Sequence, residues 1–353
     1  MIALSPGRTL CCKCVGNLDK FGFQDREDPI STRDCANCPK VQAEPRAVWA
    51  APRRKEPLSG ILNVDKPPGM TSHDVVDAVR RIAGQRKVGH AGTLDPMATG
   101  VLLLCLGQAT RVAEYLMAGR KRYRATIVLG MTTDTYDADG EMASVGGRTD
   151  FSREEIEAAL AAFSGRIEQV PPMYSALKRD GQPLYKLARK GKTVELEPRS
   201  VVIYETTLLD WNEPSLTVEV VCSSGTYIRS LAHDLGQRLG GGAHLGSLAR
   251  LSSGSFKLED AVSLARLEEA FQHGQESAYL IPSDEALLDW PAMIVGADEA
   301  RRIVHGQPLS GDQPAPTETA LCRAYSIHGD FLAIMSYEPE RGWWHPKKVF
   351  ASA

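Results

Sequence analysis

The chain has 353 residues, 43% hydrophobic and 24% charged, a balance that suits a globular protein of about two domains with a sizeable core. Val101–Leu106 is too short an apolar block to cross a membrane, and the first residues hold no apolar signal-peptide core, so the protein is expected in the cytoplasm with no membrane partner. A net charge of −3 excludes a blanket nucleic-acid binder, although it says nothing of how the charges are distributed.

Residues 1–57 are rich in Cys, Pro and charge and show no sustained apolar periodicity. Cys11-x2-Cys14 and Cys35-x2-Cys38 stand twenty residues apart, at the edge of zinc-ribbon spacing. The leader reads either as a small structural zinc unit or as a disordered extension, including one that precedes the natural start.

From Gly60 the pattern becomes regular. Ile61–Val64 reads as a strand and Lys66-Pro67-Pro68-Gly69 as a turn. A helix follows, capped by Thr71 or Ser72, with Val75, Val76, Val79 and Ile82 on one face and Gly84 ending it. Gly89-His90-Ala91-Gly92-Thr93-Leu94-Asp95-Pro96 then runs into Met97-Ala98-Thr99-Gly100. Glycine gives backbone room where a substrate must come close, which presents Asp95 in an open loop. The same string also reads as a helix start, with Asp95 as N-cap and Pro96 at the first helical position.

Val101–Leu106 is expected to be a buried strand and Gln108–Met117 a helix stopped near Gly119. Tyr123, Ala125, Ile127 and Leu129 share one face of an alternating strand. Ser152 and Glu155 make a capping box for a helix bearing Ile156, Ala159, Leu160 and Phe163. Val201–Leu209 and Leu216–Cys222 read as strands and Tyr227–Leu239 as a helix. Elements alternate without a βαβ rhythm, so a mixed sheet with packed helices is expected. Near Pro291 a smaller β-rich unit begins. Cys105, Cys222 and Cys322 sit in apolar runs and read as buried small hydrophobes.

Charge is segregated. Arg80, Arg81, Arg86 and Lys87 form one basic block, Arg111 to Arg124 a second and Lys178 to Lys192 a third, while acids collect in Asp134–Glu141 and Glu259–Glu299. Basic blocks flanking an open loop fit a polyanion-binding face. Other chemistry fails on spacing. Gly191-Lys192-Thr193 has Lys186 where a phosphate loop needs glycine, and Asp137-Ala138-Asp139-Gly140 has Thr135 and Gly146 at ligand positions of a calcium loop. No histidine begins the His-x-Glu of a zinc deaminase, and there is neither a dinucleotide fingerprint nor a Gly-x-Ser-x-Gly elbow.

Asn63-Val64-Asp65-Lys66-Pro67-Pro68-Gly69-Met70-Thr71-Ser72, the Gly89–Gly100 loop, Lys121-Arg122-Tyr123-Arg124 and Ser224-Gly225-Thr226-Tyr227-Ile228-Arg229 follow one another in an order that resembles the TruB tRNA pseudouridine synthases. Pro171–Lys178 and Ala243-His244-Leu245 fit the same pattern, and the resemblance runs from Pro57 to Pro282. It implies an α+β pseudouridine-synthase fold, with a mixed, largely antiparallel sheet flanked by helices over residues 58–285. A small β-barrel-like PUA-type RNA-binding domain is implied over 290–351. The leader departs from the family pattern.

The implied reaction isomerises uridine 55 in the T-loop of tRNA, with no metal and no cofactor. The resemblance makes Asp95 the nucleophile and Arg229 its cation. Arg229 also falls in the first turn of its expected helix, where the macrodipole disfavours positive charge unless an anion holds it. Tyr123 is implied to stack on the base and to be the candidate for removing the C5 proton. Lys66 is expected to shape the pocket, His90 to occupy the space left by the extruded base, and Tyr227 and Leu251 to form pocket walls. The tRNA T-arm is the expected partner, with the acceptor end reached by the C-terminal unit and Lys178–Lys192 acting as an RNA-clamping insertion. A monomer without an obligatory protein partner is expected. A non-catalytic RNA-binding or RNA-folding protein is the alternative, and Asp95, Tyr123 and Arg229 together argue against it. A guide-RNA-dependent relative is a third reading; the basic insertion and small C-terminal unit look more like the stand-alone bacterial branch.

Overall fold

The computed structural model describes residues 57–351, apart from 176, 180, 189–193, 195 and 311–319, so the leader cysteines, Cys11, Cys14, Cys35 and Cys38 among them, lie outside the described residues. Strand β1 (Gly60–Lys66) ends in the Pro-Gly turn that leads to helix α1 (Ser72–Ala83). Thr71 is the cap: its side chain accepts from the Asp74 amide while Asp74 accepts from the Thr71 amide, a reciprocal box that satisfies two otherwise orphaned donors. Gly84 closes the helix in the left-handed conformation, and Val75, Val76 and Val79 are buried as their spacing predicts.

Strands β2 (Val88–His90) and β3 (Thr99–Leu106) flank the loop that carries Asp95. β3 is apolar at almost every position because both its faces are covered. Leu102, Leu104 and Leu106 pack beneath the helices, while Val101, Leu103 and Cys105 join a second cluster with Val112, Leu116 and Ile334. The helix expected over Gln108–Met117 is instead a 3-10 turn (Gly107–Arg111) followed by α2 (Ala113–Ala118). Thr110 donates its hydroxyl to the Gly107 carbonyl, a local bond that competes with the α ladder.

Then come β4 (Lys121–Leu129), β5 (Met131–Thr133), β6 (Met142–Val145), α3 (Arg153–Ala161) and β7 (Gly165–Gln169). The Ser152–Glu155 capping box forms as expected. The described part of the basic Lys178–Lys192 segment holds β8 (Lys178–Arg179), β9 (Gln182–Pro183) and α4 (Leu184–Ala188). β10 (Arg199–Asn212), β11 (Ser215–Cys222), α5 (Ile228–Leu239), β12 (Ala243–Ser253), β13 (Phe256–Lys257), β14 (Val262–Ser263) and α6 (Leu264–Gln272) complete the main sheet and its helices.

That sheet runs β14-β1-β3-β12-β4-β11-β10-β7, with β2 on β3 and β13 on β12. It is antiparallel except where β1 meets β14 and β3 meets β12, so the fold is mixed α+β. The β3–β12 seam is where the site forms. Gly100 pairs with Arg250 there at φ +94°, and a Cβ on Gly100 would lie 2.3 Å from the Arg250 carbonyl oxygen. Gly100→Ala is therefore expected to cost at least about 2 kcal/mol, from strain plus clash. An unchanged urea midpoint would contradict this packing.

The C-terminal sheet contains β15 (Ala292–Val295), β16 (Leu309–Ser310), β17 (Leu321–Ser326), β18 (Phe331–Glu338) and β19 (Trp343–Val349), in the order β15-β17-β18-β19-β16, with α7 (Ala297–Val304) packed on it. Trp344 is buried in its core. Tyr115 of α2 meets Trp290 edge-on at 4.9 Å, and Ile334 enters the cluster beneath β3, so this unit shares a core with the main sheet. Cys105, Cys222 and Cys322 are free and buried. No helix among the described residues is long and apolar enough to cross a membrane.

Candidate active site

No helix starts at Asp95. Pro96 and Met97 make a tight turn, with the Ala98 amide donating to the Asp95 carbonyl, and three buried polar side chains fix the loop around it. Ser72, in the first turn of α1, accepts from the Leu94 amide at 2.8 Å and donates to the Leu94 carbonyl at 3.1 Å. Lys66, fully buried at the end of β1, donates Nζ to the carbonyls of Pro67, Pro96 and Ala98 at 2.7–3.0 Å. Arg250 reaches from β12 to the carbonyls of Val101, Thr93 and Gly92. Each pairing satisfies a backbone group that would otherwise be stranded away from water. Lys66 thus acts on the loop rather than in the cleft. Lys66→Met is expected to leave buried carbonyls unpaired, costing about 1–3 kcal/mol, and to lower kcat while KM stays near wild type. A changed KM with an unchanged kcat would place Lys66 on the substrate instead.

Arg229 projects from the first turn of α5 and is 4% exposed. Its Nη2 donates to Asp95 Oδ1 at 3.0 Å, and its Nε lies 3.0 Å from Oδ2 in an ion-pair contact. Nη2 also donates to the Tyr174 carbonyl, while Nη1 donates to the Thr135 carbonyl at 3.3 Å and lies 3.4 Å from Asp137 Oδ2. One guanidinium therefore sits between two carboxylates. Asp137 is itself fixed by the Thr135 hydroxyl at 2.5 Å and the Asp139 amide at 3.1 Å. The only non-glycine residue at positive φ among the described residues is Tyr136, at +64°, between Thr135 and Asp137. The left-handed region costs a residue with a side chain roughly 1–2 kcal/mol.

Asp95, Arg229 and Arg250 line a cleft of about 340 Å³, a volume suited to one small ligand, while Asp137 and Tyr136 stand behind it. Asp95 opens into it with 30% of its side chain exposed. Tyr123 and Lys121 face it from β4, Arg250 and Leu248 from β12, and Tyr227 from the cap of α5. Burial pushes the Asp95 carboxyl above the usual carboxylate range; Arg229 opposes this, Asp137 adds to it and Lys66 opposes it further. Burial also raises the Tyr123 phenol, against Arg250, and the Tyr227 phenol. Lys121 is lowered to about 8 by burial, and its Nζ is spent on the Leu116, Met117 and Gly119 carbonyls that end α2.

Of the residues singled out in the sequence, Asp95, Tyr123, Arg229 and Tyr227 converge on this cleft. Lys66, His90 and Leu251 do not line it. His90 stands on β2 opposite Leu104, with burial lowering its imidazole. Leu251 falls in a bulge between Arg250 and Ser252, which shifts the face it presents; Leu248 and Arg250 form that wall. Asp137, Arg250 and Ser72 were missed. Asp137 sits in the Asp-Ala-Asp-Gly string read only against calcium, and an Arg inside Leu248-Ala249-Arg250-Leu251 was the available signal for Arg250. Among the described residues, no three His, Cys, Asp or Glu side chains group as a metal site would require.

Residues 80–228 match the N-terminal domain of the TruB family pseudouridylate synthases, and 229–288 match the tRNA pseudouridylate synthase B C-terminal domain. The chain is 45% identical over 285 residues to a tRNA pseudouridine synthase B of Pseudomonas paraeruginosa, covering 80% of this chain and 93% of that protein. It is 44% identical over 287 residues to that of Syntrophotalea carbinolica, at 80% and 94% coverage. Among solved structures it resembles a chain of a Cbf5–Nop10–Gar1 complex, with TM-score 0.65 and 27% identity over 83% of this chain and 85% of that one. By these matches the chain belongs to the TruB family of tRNA pseudouridine synthases, which are isomerases.

Proposed function

We propose that the protein isomerises uridine 55 in the T-loop of tRNA, with Asp95 as the nucleophile. The observation that carries this reading is the two-point contact of Arg229 with Asp95 in the wall of the cleft. The N1–C1′ bond must break, the uracil must turn, and a C5–C1′ bond must form as C5 loses its proton and the freed N1 gains one. Atoms balance without redox change. A carboxylate can add to an electrophilic carbon, at ribose C1′ or uracil C6, and hold the intermediate while the base turns. Arg229 favours the ionised form of that carboxylate and fixes both its oxygens. Tyr123 offers a ring for the flipped base to stack on. Its raised phenol stays neutral near pH 7, which supports stacking over removal of the C5 proton.

Residues 58–285 serve in this reading as the catalytic domain and 290–351 as an RNA-binding domain, with basic residues fixing phosphate position and the folded T-arm supplying specificity. The tRNA supplies the partner and no protein partner is required. A tRNA with cytidine at position 55, labelled at C5 of its remaining uridines, tests the site. It should bind and release no tritium, and continued release would contradict the assignment.

The chemistry requires an ionised Asp95 whose carboxyl is held above its ordinary value. The acid limb of kcat/KM, which reports the free enzyme, is therefore expected above the ordinary carboxylate range, and kcat/KM should fall as pH drops through it. A pH–rate profile that stays flat down to the ordinary carboxylate value would contradict this.

A further inference from the structure

Tyr136 occupies a left-handed backbone position, at φ +64°, that glycine or asparagine would take at less steric cost. Its ring lies on the His233 imidazole at a centroid separation of 3.9 Å and an interplanar angle of 16°. His233 follows Arg229 by one helical turn on α5, so imidazole and guanidinium leave the helix on the same side. The loop that bears Tyr136 is thus gripped twice by one helix. Arg229 takes the Thr135 carbonyl and the Asp137 carboxylate, and His233 takes the ring between them.

We propose that Tyr136 and His233 are positioning residues, whose stacked rings lock the left-handed turn that presents Thr135 and Asp137 to Arg229 and so set the orientation of Asp95. This rests on the reading of Asp95 as the nucleophile. The surrounding geometry leaves the turn little freedom. The Leu245 amide donates to the Tyr136 carbonyl at 2.9 Å, and a Cβ on Gly140 would lie 2.2 Å from the Thr135 hydroxyl. Among the described residues the buried His233 Nδ1 has no hydrogen-bond partner, so stacking rather than a hydrogen bond at that nitrogen orients the ring. A turn that relaxed to negative φ would swing Thr135 and Asp137 away from Nη1. The guanidinium would then follow Asp95 less tightly.

The groups facing Asp95 are Arg229, Asp137 and Lys66, with the Tyr227 and Tyr123 phenols nearby. Those facing His233 are Tyr136 and Asp234. Single-turnover rates, KM for tRNA and pH profiles of Tyr136→Ala, His233→Ala, Tyr136→Phe and His233→Phe test the proposal. The alanine variants should lose roughly tenfold in rate at neutral pH, the scale of a small misplacement of a catalytic group. Their acid limb should move from the wild-type position while KM is unchanged, since the turn sets both the Arg229 and the Asp137 influence on Asp95. Both phenylalanine variants keep the ring and should behave as wild type; His233→Phe also removes the imidazole's own titration. Should Tyr136→Ala not fold, His233→Ala, which removes the stacking partner and leaves the backbone of the turn untouched, carries the same expectation.

A His233→Ala enzyme with the wild-type rate and pH profile would overturn the proposal, as would phenylalanine variants as impaired as the alanine ones. Asp95→Asn runs alongside. Turnover by that variant would remove the nucleophile reading and this proposal together, whereas an inert Asp95→Asn beside an unaffected His233→Ala would remove the positioning role alone.

Discussion

Asp95→Asn is expected to lower turnover by roughly 10⁴-fold or more, the scale seen when an essential nucleophile is removed, while tRNA binding persists and the fold loses no stability. The amide is isosteric but cannot act as an anionic nucleophile. The stability expectation follows from linkage. Burial holds the Asp95 carboxyl above its ordinary value even against Arg229, so the folded chain binds that proton more tightly than the unfolded chain. Stability from this group is fully present below the unfolded value and is lost as pH rises through the raised one. Near neutrality the ionised Asp95 is therefore a cost to the fold, and Asn removes it while Asp137 remains beside Arg229. Activity lost with a melting temperature equal to or above wild type is the expected pair of results. A melting temperature well below wild type would mean that Asp95 serves the fold rather than the chemistry.

Arg229→Ala is expected to do more damage to the structure. It leaves Asp95 and Asp137 facing each other in a largely water-excluded site, and breaking a buried pair by removing one partner costs about 3–5 kcal/mol. The Asp95 carboxyl then loses its main opposing influence and moves further up. Every unit of that rise lowers the ionised fraction below the new value about tenfold. Turnover should fall by roughly 10³-fold at neutral pH and recover in part as pH is raised. Arg229→Lys keeps the charge but not the planar fork that reaches Asp95 at two points and also the Tyr174 carbonyl. It should fall between wild type and alanine. An acid limb that stays in place in Arg229→Ala would show that Arg229 does not govern the charge on Asp95.

Much of the scaffold could be read from the chain because local and global signals agree. The Thr71 and Ser152 boxes, the Val75–Val79 face and the alternation of β4 each state their own structure. The continuous apolar run of β3 announced a strand covered on both sides. The Asp95–Arg229 pair was legible from two directions, since a cation in the first turn of a helix needs an anion nearby. What escaped was long-range geometry. Lys66 reads as a turn residue near a pocket, yet its ammonium is used up by three carbonyls that only the folded loop brings within reach. A bulge at Leu251 is invisible to a period-two reading, so its neighbour Arg250 took the wall and the loop carbonyls. Asp137 belongs to a string that fails as a calcium loop, and its pairing with Arg229 depends on a left-handed tyrosine that no propensity would place there.

The central claim is that Asp95 performs the chemistry in a cleft that binds tRNA without it. Single-turnover tritium release from tRNA labelled at C5 of uridine, with enzyme in excess and tRNA binding measured in parallel, tests it most directly. Wild type should release label equal to one uridine per tRNA, and Asp95→Asn should bind equally and release none. Release by Asp95→Asn at the wild-type rate would contradict the assignment of the nucleophile.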